Sequence, residues 1–406
     1  MGVQELPSGV RPPDWAQEFS SELERIADWW LIYSQDETNG GFYGEVGLDN
    51  KPNLQSDKGV VLNTRILWFF SELAQEIDDA RYRAAADRAY HTLFERFVDA
   101  ENGGVYWMLD ARGYPKDTKK QVYAQAFAIY ALVSYYRLTG NDAALEEAQT
   151  MFALLEEHTV CPDTGGYLEA FTREWGAMDD VRLSDKDLNY PKTMNTHLHV
   201  LEAYTTLYQV DRSPKVREAL RYAIECFDRH LINKDSFHLR MFMDCDWNDH
   251  SPGHTFGHDI ECSWLLAKAT ESLADPAMTA RLRPSVLGMA EACLHEAMGE
   301  HGEMHDGFDF ESREMNGERV WWVQAEAMVG FYKAYTLSGE AGYARAAERL
   351  WRFINQYQLA GESGEWLWLS RLDDQRRAPG YKLGPWKGPY HNGRAMMEMI
   401  RMLAGE

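Results

Sequence analysis

The chain has 406 residues, 45% apolar and 26% charged, which suits one large globular domain or two ordinary ones. Its net charge of −23 argues against nucleic acid or an anionic membrane as partner, and no apolar run approaches membrane-spanning length. Five cysteines without a C-x-x-C pair speak against a disulfide framework or thiolate zinc site, and no basic-then-apolar leader is visible, so a reducing, cytoplasmic setting is expected.

After an expected disordered or extended tail over residues 1–12, helical periodicity begins near Pro13 with an outer, half-solvated run. The next run, near Asn63, is apolar on most sides and encloses Arg65 in Leu62-Asn63-Thr64-Arg65-Ile66-Leu67-Trp68. A cation so placed is either salt-bridged or reserved for a ligand, where it would stabilise an oxyanion. From Asp79, residues 81–98 put Tyr82, Ala86, Ala89, Leu93 and Phe97 on one face and charges on the other, as an outer helix does. Trp107 follows in a loop, and the run from Gln121 carries Tyr123 and is apolar nearly all round over 127–136, as an inner helix should be. An outer run starts near Asp142. Asp187 lies in the loop before the third inner run, which opens Asn195-Thr196-His197-Leu198-His199. After an outer run near Ser213 comes Gly257-His258-Asp259-Ile260-Glu261, where His258 and Glu261 share a helix face and Glu261 is expected to orient the imidazole. An outer run near Pro276 precedes Trp321-Trp322, whose side chains diverge by about 100°, so one should face a cavity and the other the core. The last outer run starts near Glu340. Trp386 then stands in a loop, and His391 opens the final inner run near Tyr390.

A repeat underlies the alternation. Asn39-Gly40-Gly41-Phe42-Tyr43, Asn102-Gly103-Gly104-Val105-Tyr106 and Thr164-Gly165-Gly166-Tyr167 are one phrase, and Gly302 and Gly364 continue it. The fourth copy, expected near 236–246, has lost its glycines. Six outer and six inner helices predict an all-α (α/α)6 barrel, a toroid of helix pairs forming a single domain over 1–406, with short loop hairpins over one rim. The polar residues named above then fall near inner-helix N-termini, which meet around one cavity.

One histidine at such a place is ordinarily a hydrogen-bonded core residue, but His199, His258 and His391 recur with the repeat, which favours a site. Two imidazoles on opposite sides of a ligand could take a proton from one face of a carbon and return one to the other, as inversion of a stereocentre requires. Trp107, Trp321, Trp322 and Trp386 either stack on sugar rings or pack a core. His254, His258 and Glu261 have helix-face spacing that could ligate a metal, but the flanking Pro252-Gly253 and Gly257 put His254 on a loop and Thr255 stands where a zinc protease has Glu; no metal is expected. No phosphate loop or dinucleotide fingerprint is present, so no cofactor is expected.

Taken together, Asn63-Thr64-Arg65-Ile66-Leu67-Trp68, Tyr123-Ala124-Gln125-Ala126-Phe127, Met194-Asn195-Thr196-His197-Leu198-His199, Gly257-His258-Asp259-Ile260-Glu261, Trp321-Trp322-Val323-Gln324-Ala325-Glu326 and Gly384-Pro385-Trp386-Lys387-Gly388-Pro389-Tyr390-His391-Asn392 resemble the cellobiose 2-epimerase branch of the N-acylglucosamine 2-epimerase superfamily. The resemblance runs from about Trp29 to Met399 and implies an (α/α)6 barrel and cofactor-free epimerisation at C2 of a reducing sugar. It implies His258 and His391 as the acid/base pair, His199 as an aid to ring opening, Glu261 as orienter of His258, and Arg65 as stabiliser of an enediolate. Tyr123 and Asn195 would hold hydroxyls, while Asp187, Trp322 and Trp386 would contact the sugar, Trp386 at a second ring. Gly388 departs from the branch, which commonly has cysteine there, and this bears on the second-sugar subsite.

The expected partner is a neutral mono- or disaccharide, with the chain a monomer or homodimer. The alternatives are a mannose or glucose 2-epimerase or aldose–ketose isomerase with a shorter cleft, an (α/α)6 glycoside hydrolase or lyase using Asp187 and Glu326, and a non-enzymatic binding protein.

Overall fold

A helix apolar on every side has no face to give to water, so it folds only when other helices surround it. The computed structural model describes residues 15–361 and 364–405; the expected tail over 1–12 lies outside them. Twelve α-helices follow in chain order: α1 (Trp15–Tyr33), α2 (Val60–Glu76), α3 (Ala80–Thr92), α4 (Val122–Thr139), α5 (Asp142–His158), α6 (Met194–Val210), α7 (Pro214–Cys226), α8 (Phe256–Leu273), α9 (Pro276–Glu296), α10 (Trp321–Ser338), α11 (Ala341–Phe353) and α12 (His391–Ala404). The even-numbered helices are the inner ones, and α4 is buried continuously from Val122 to Tyr135. Each packs on the next, from α2 round to α12. The ring closes where Gly393 of α12 lies against Phe69 of α2 and Arg401 pairs with Glu72 at 2.9 Å. The odd-numbered helices form the outer layer, α3 on α2 and so on round, with α1 packed on α12, so the two ends of the chain complete the last pair. This is the (α/α)6 barrel that the alternation of runs predicts. Among the described residues no helix is long and apolar enough to cross a membrane.

The outer helices start where the sequence supplies caps: Asp79, Asn141, Ser213 and Asp275 each accept a hydrogen bond from a first-turn backbone N–H. Connections from inner to outer helices are short. Those from outer to inner are long, so every hairpin lies on the rim where the inner helices begin. Narrow bridges close these hairpins at Gln35–Phe42, Val98–Val105, Val160–Tyr167, Ile232–Leu239, Met298–Met304 and Leu359–Trp366. Gly40 and Gly41 turn the first at φ +79° and +68°, a backbone open to glycine. The fourth hairpin lies at 232–239, earlier than the sequence suggests. Phe237 takes the left-handed turn there at φ +60°, and its ring sits so close to Gly288 of α9 that a Cβ on Gly288 would come within 2.5 Å of it. Buried ion pairs pin two of the hairpins to the strand before the next inner helix: Lys58 to Asp36 at 2.8 Å and Lys120 to Asp99 at 3.0 Å.

Candidate active site

The inner-helix N-termini bring polar side chains from all six repeats to one end of the barrel. Arg65 of α2 donates to the Tyr123 hydroxyl of α4 at 2.8 Å and to the Trp386 carbonyl at 3.3 Å. Its guanidinium lies over Phe127 and Tyr390 at 4.7 and 4.9 Å. No carboxylate among the described residues lies in ion-pair range of it, so the salt-bridge alternative falls away. Burial pushes the Tyr123 hydroxyl up to about 12. The ring of His199 stands edge-on to Tyr123 at 4.7 Å.

Trp322 of α10 links the other two histidines, its ring 4.9 Å from His258 and 5.4 Å from His391. Gly257 makes room for it, since a Cβ there would fall 2.5 Å from the indole. Trp321 points the other way; it is buried, with His391 edge-on at 5.5 Å and the Lys387 ammonium 4.1 Å over its face.

Each histidine has a different orienting partner. His391 Nδ1 faces Glu326 Oε1 at 2.6 Å, and His199 Nδ1 faces Glu202 Oε2 at 3.1 Å. His258 Nδ1 is hydrogen-bonded to Thr255 Oγ1 at 2.6 Å. This corrects the expected role of Glu261, which accepts from Arg394 Nη2 at 2.5 Å instead. Helical side chains lean toward the N-terminus, so His258 reaches back over Thr255. The predicted i, i+3 pairing of imidazole and carboxylate does occur, but at His199 and Glu202.

Arg394, which the sequence reading passed over, organises the floor of the site. Its Nη1 donates to Glu202 Oε1 and the Tyr390 hydroxyl, and its Nη2 donates to Glu261 and, at 2.7 Å, to Glu326. Tyr390 in turn donates to Glu202 Oε2 at 2.5 Å. Burial would raise Glu202, but Arg394, His199 and Tyr390 outweigh it and hold the carboxyl at about 2. Burial and the charge of Glu326 push Glu261 up to about 7, and burial raises Glu326 as well. Burial, with the neighbouring His199, pulls His258 down to about 3. Burial together with Arg65 and Arg394 keeps His391 well below its usual range.

The remaining residues form the walls and mouth. Asn195 and Asp187 share a small cavity with His258, and one Asp187 oxygen accepts from the Ser184 backbone N–H and hydroxyl at 2.8 and 2.7 Å. Trp107 and Trp386 face a cleft of about 330 Å³, their rings 6.0 Å apart. A side chain at 388 would bear on Arg65 and Leu62, each 3.4 Å from a Cβ placed there, so the departure at Gly388 concerns the seat of Arg65 and not the second-sugar face alone. His197 is structural: its Nε2 accepts from the Tyr167 backbone N–H at 2.9 Å, and its Nδ1 meets the Thr193 carbonyl at 2.6 Å.

Known proteins resemble the chain over nearly its whole length. A cellobiose 2-epimerase from Bacteroides fragilis is 40% identical over 385 residues, covering 95% of this chain and 98% of its own. One from Ruminococcus albus is 38% identical, covering 94% and 97%. The solved structure of cellobiose 2-epimerase from Bacillus thermoamylovorans superposes with a TM-score of 0.89 at 35% identity, covering 96% of this chain and 99% of that one. The N-acylglucosamine 2-epimerase (GlcNAc 2-epimerase) family profile matches residues 41–395. The chain therefore belongs to the N-acylglucosamine 2-epimerase family.

Proposed function

We propose that the chain is a cofactor-independent 2-epimerase that inverts C2 of the reducing-end glucose of β-1,4-linked disaccharides, taking cellobiose to glucosyl-mannose and lactose to epilactose. The observation that carries this reading is the pair His258 and His391 against one indole, Trp322, each with its Nδ1 tied by a hydrogen bond. A nitrogen fixed through Nδ1 leaves Nε2 as the working atom.

The chemistry follows from the substrate. A cyclic hemiacetal does not acidify H2, whereas the open aldehyde does, because the charge spreads onto O1. His199, held by Glu202 beside Tyr123, is placed to move the proton that opens the ring. One of His258 and His391 takes H2, and Arg65 balances the enediolate charge. The other histidine returns a proton to the opposite face, reached by rotation about C2–C3 or by delivery across the plane. The cycle thus moves one proton between the two groups. Burial raises Glu326, whose Oε1 meets His391 Nδ1 at 2.6 Å, so a carboxyl of increased proton affinity stands beside a histidine that must be loaded before it can return a proton. Buried Arg65 Nε and Asn195 Oδ1 have no protein partner, which suits groups that receive sugar hydroxyls.

A hydrolase needs two carboxylates free to flank a glycosidic bond. Here Glu261 and Glu326 are both bound to Arg394, and Asp187 is tied to Ser184. Proton NMR in D2O tests the proposal: cellobiose or lactose should gain deuterium at C2 and show a mannose-type anomeric signal. Exchange confined to mannose or glucose would select the monosaccharide reading, and free glucose would mean hydrolysis.

Two further outcomes are expected. Trp386→Ala should raise KM for cellobiose roughly 2- to 12-fold, the equivalent of about 0.5–1.5 kcal/mol of stacking, and leave mannose kinetics unchanged. Equal effects on both sugars would remove Trp386 from a second-ring role.

The acid limb of kcat/KM should fall below the ordinary histidine value of about 6.5, because burial holds both imidazoles neutral to lower pH. Stability shifts in the matching direction. The unfolded chain takes up these protons near 6.5 and the folded chain only at lower pH, so stability is full above about 6.5 and declines as pH falls. A pH–rate profile checked against thermal melts at each pH separates the two effects; an acid limb at or above 6.5 would exclude His258 as the base.

A further inference from the structure

Outside the reaction centre, His238, His254 and Glu296 place three ligand atoms within 4.8 Å of one another. His238 comes from the fourth hairpin, His254 from the strand Gly253–Thr255 leading into α8, and Glu296 from the last turn of α9. His238 Nδ1 faces the wholly buried Asp259 carboxylate at 2.7 Å, and Asp259 is held in turn by the Leu239 backbone N–H at 2.8 Å. That bond directs His238 Nε2 at Glu296 Oε2, 3.2 Å away. A carboxylate behind one imidazole nitrogen with the other nitrogen turned toward ligand atoms is the outer-shell arrangement of metal-bound histidines.

His254 is the less expected member. Only 8% exposed, it has no hydrogen-bond partner on either ring nitrogen. It lies flat on His238, centroids 3.6 Å apart and planes within 5°, and Phe256, Phe308 and Phe310 surround it. Two buried nitrogens without partners are costly, and such a group calls for a missing ligand or ion.

From this geometry we propose that His238, His254 and Glu296 bind a divalent transition-metal ion of the zinc class, with Asp259 as the carboxylate behind His238 and water at a fourth position beside the half-exposed Glu296. Two imidazoles and one carboxylate are a zinc-type donor set. Metal–nitrogen bonds of about 2.0–2.1 Å set neighbouring donors roughly 3.3 Å apart, which the His238–Glu296 pair already meets. A metal lies in the plane of each ring it binds, so the parallel stack must open, with His254 rotating until a nitrogen turns toward the ion.

The other three-residue group, Glu261, Glu326 and His391, differs in that the Arg394 guanidinium already occupies both carboxylates. The proposed ion would clip the hairpin, the strand before α8 and the end of α9 together. Thr255, next to His254, is the partner of His258 Nδ1, so the clip would also fix the strand that orients that histidine.

The test is Co(II) titration of the full chain after chelator treatment, read by visible absorption, with Zn(II) competition. One equivalent per chain should give the strong absorption of four-coordinate Co(II), and Zn(II) should raise the melting temperature. Glu296→Gln, half-exposed and safe for folding, should weaken binding at least about tenfold. His254→Ala should abolish it, with circular dichroism confirming the fold. Absence of saturable uptake would overturn the proposal. So would uptake unchanged in Glu296→Gln, or uptake abolished by Glu326→Gln and retained in Glu296→Gln, which would put the ion at the reaction centre.

Discussion

His258→Asn and His391→Asn are each expected to lower kcat for C2 inversion by ~10²–10⁴-fold or more, the usual worth of a general acid or base. Asparagine keeps the size and polarity near Cβ, so Trp322 retains a packing partner and thermal melts should change little. The double variant should be hardly slower than the worse single one, because two groups that act in one proton circuit fail together. Deuterium exchange at C2 separates their parts. A variant that still exchanges H2 without inverting C2 has kept the group that removes the proton and lost the one that returns it to the other face. A variant that neither exchanges nor inverts has lost the remover. Near-normal turnover in either single variant would remove that histidine from the circuit. His199→Asn should differ from both by remaining partly active on sugar that opens spontaneously, since its proposed work precedes the carbon chemistry.

The barrel was legible because its signal is local. The run 127–136 is apolar on every side and α3 on one side only, and the same contrast separates α6 from α7 and α10 from α11. The fourth hairpin was harder to place because glycine marked the others, while Phe237 achieves the same turn through a tertiary allowance, the space beside Gly288. The site was legible as positions but not as partnerships. Thr255 and Glu261 stand equally far from His258 in sequence, and spacing alone cannot choose between them. The choice falls to Thr255 through the lean of helical side chains and the competing pull of Arg394 on Glu261. Arg394 itself carried the signal that singled out Arg65, a cation inside an apolar helix. Its three glutamates, however, come from α6, α8 and α10, and no pattern within α12 points to them.

Removing that cation should produce the largest loss of stability in the site. Arg394→Met keeps the bulk of the side chain but leaves Glu202, Glu261 and Glu326 buried without a counter-ion. Breaking a buried pair in this way typically costs about 3–5 kcal/mol. The loss should depend on pH in a definite direction. Without Arg394, Glu261 and Glu326 shift further above their unfolded values and Glu202 loses the main charge that holds it low, so the folded chain takes up protons more readily than it does with the arginine present, and the deficit shrinks as pH falls. The deficit relative to the parent chain, measured by urea unfolding, should therefore be larger at pH 8 than at pH 5. Arg394→Lys tests geometry apart from charge. An ammonium is a compact point charge, whereas the guanidinium spans Glu202 and Tyr390 with one nitrogen and Glu261 and Glu326 with the other. Lysine should recover part of the stability but little of the activity, since Glu202 and Glu326 would lose the anchor that holds them against His199 and His391. A pH-independent deficit below about 1 kcal/mol in Arg394→Met would mean that the carboxyls are already neutral in the parent chain. The floor of the site would then be a network of neutral hydrogen bonds, and the charge balance assigned to the histidines above it would have to come from Arg65 alone.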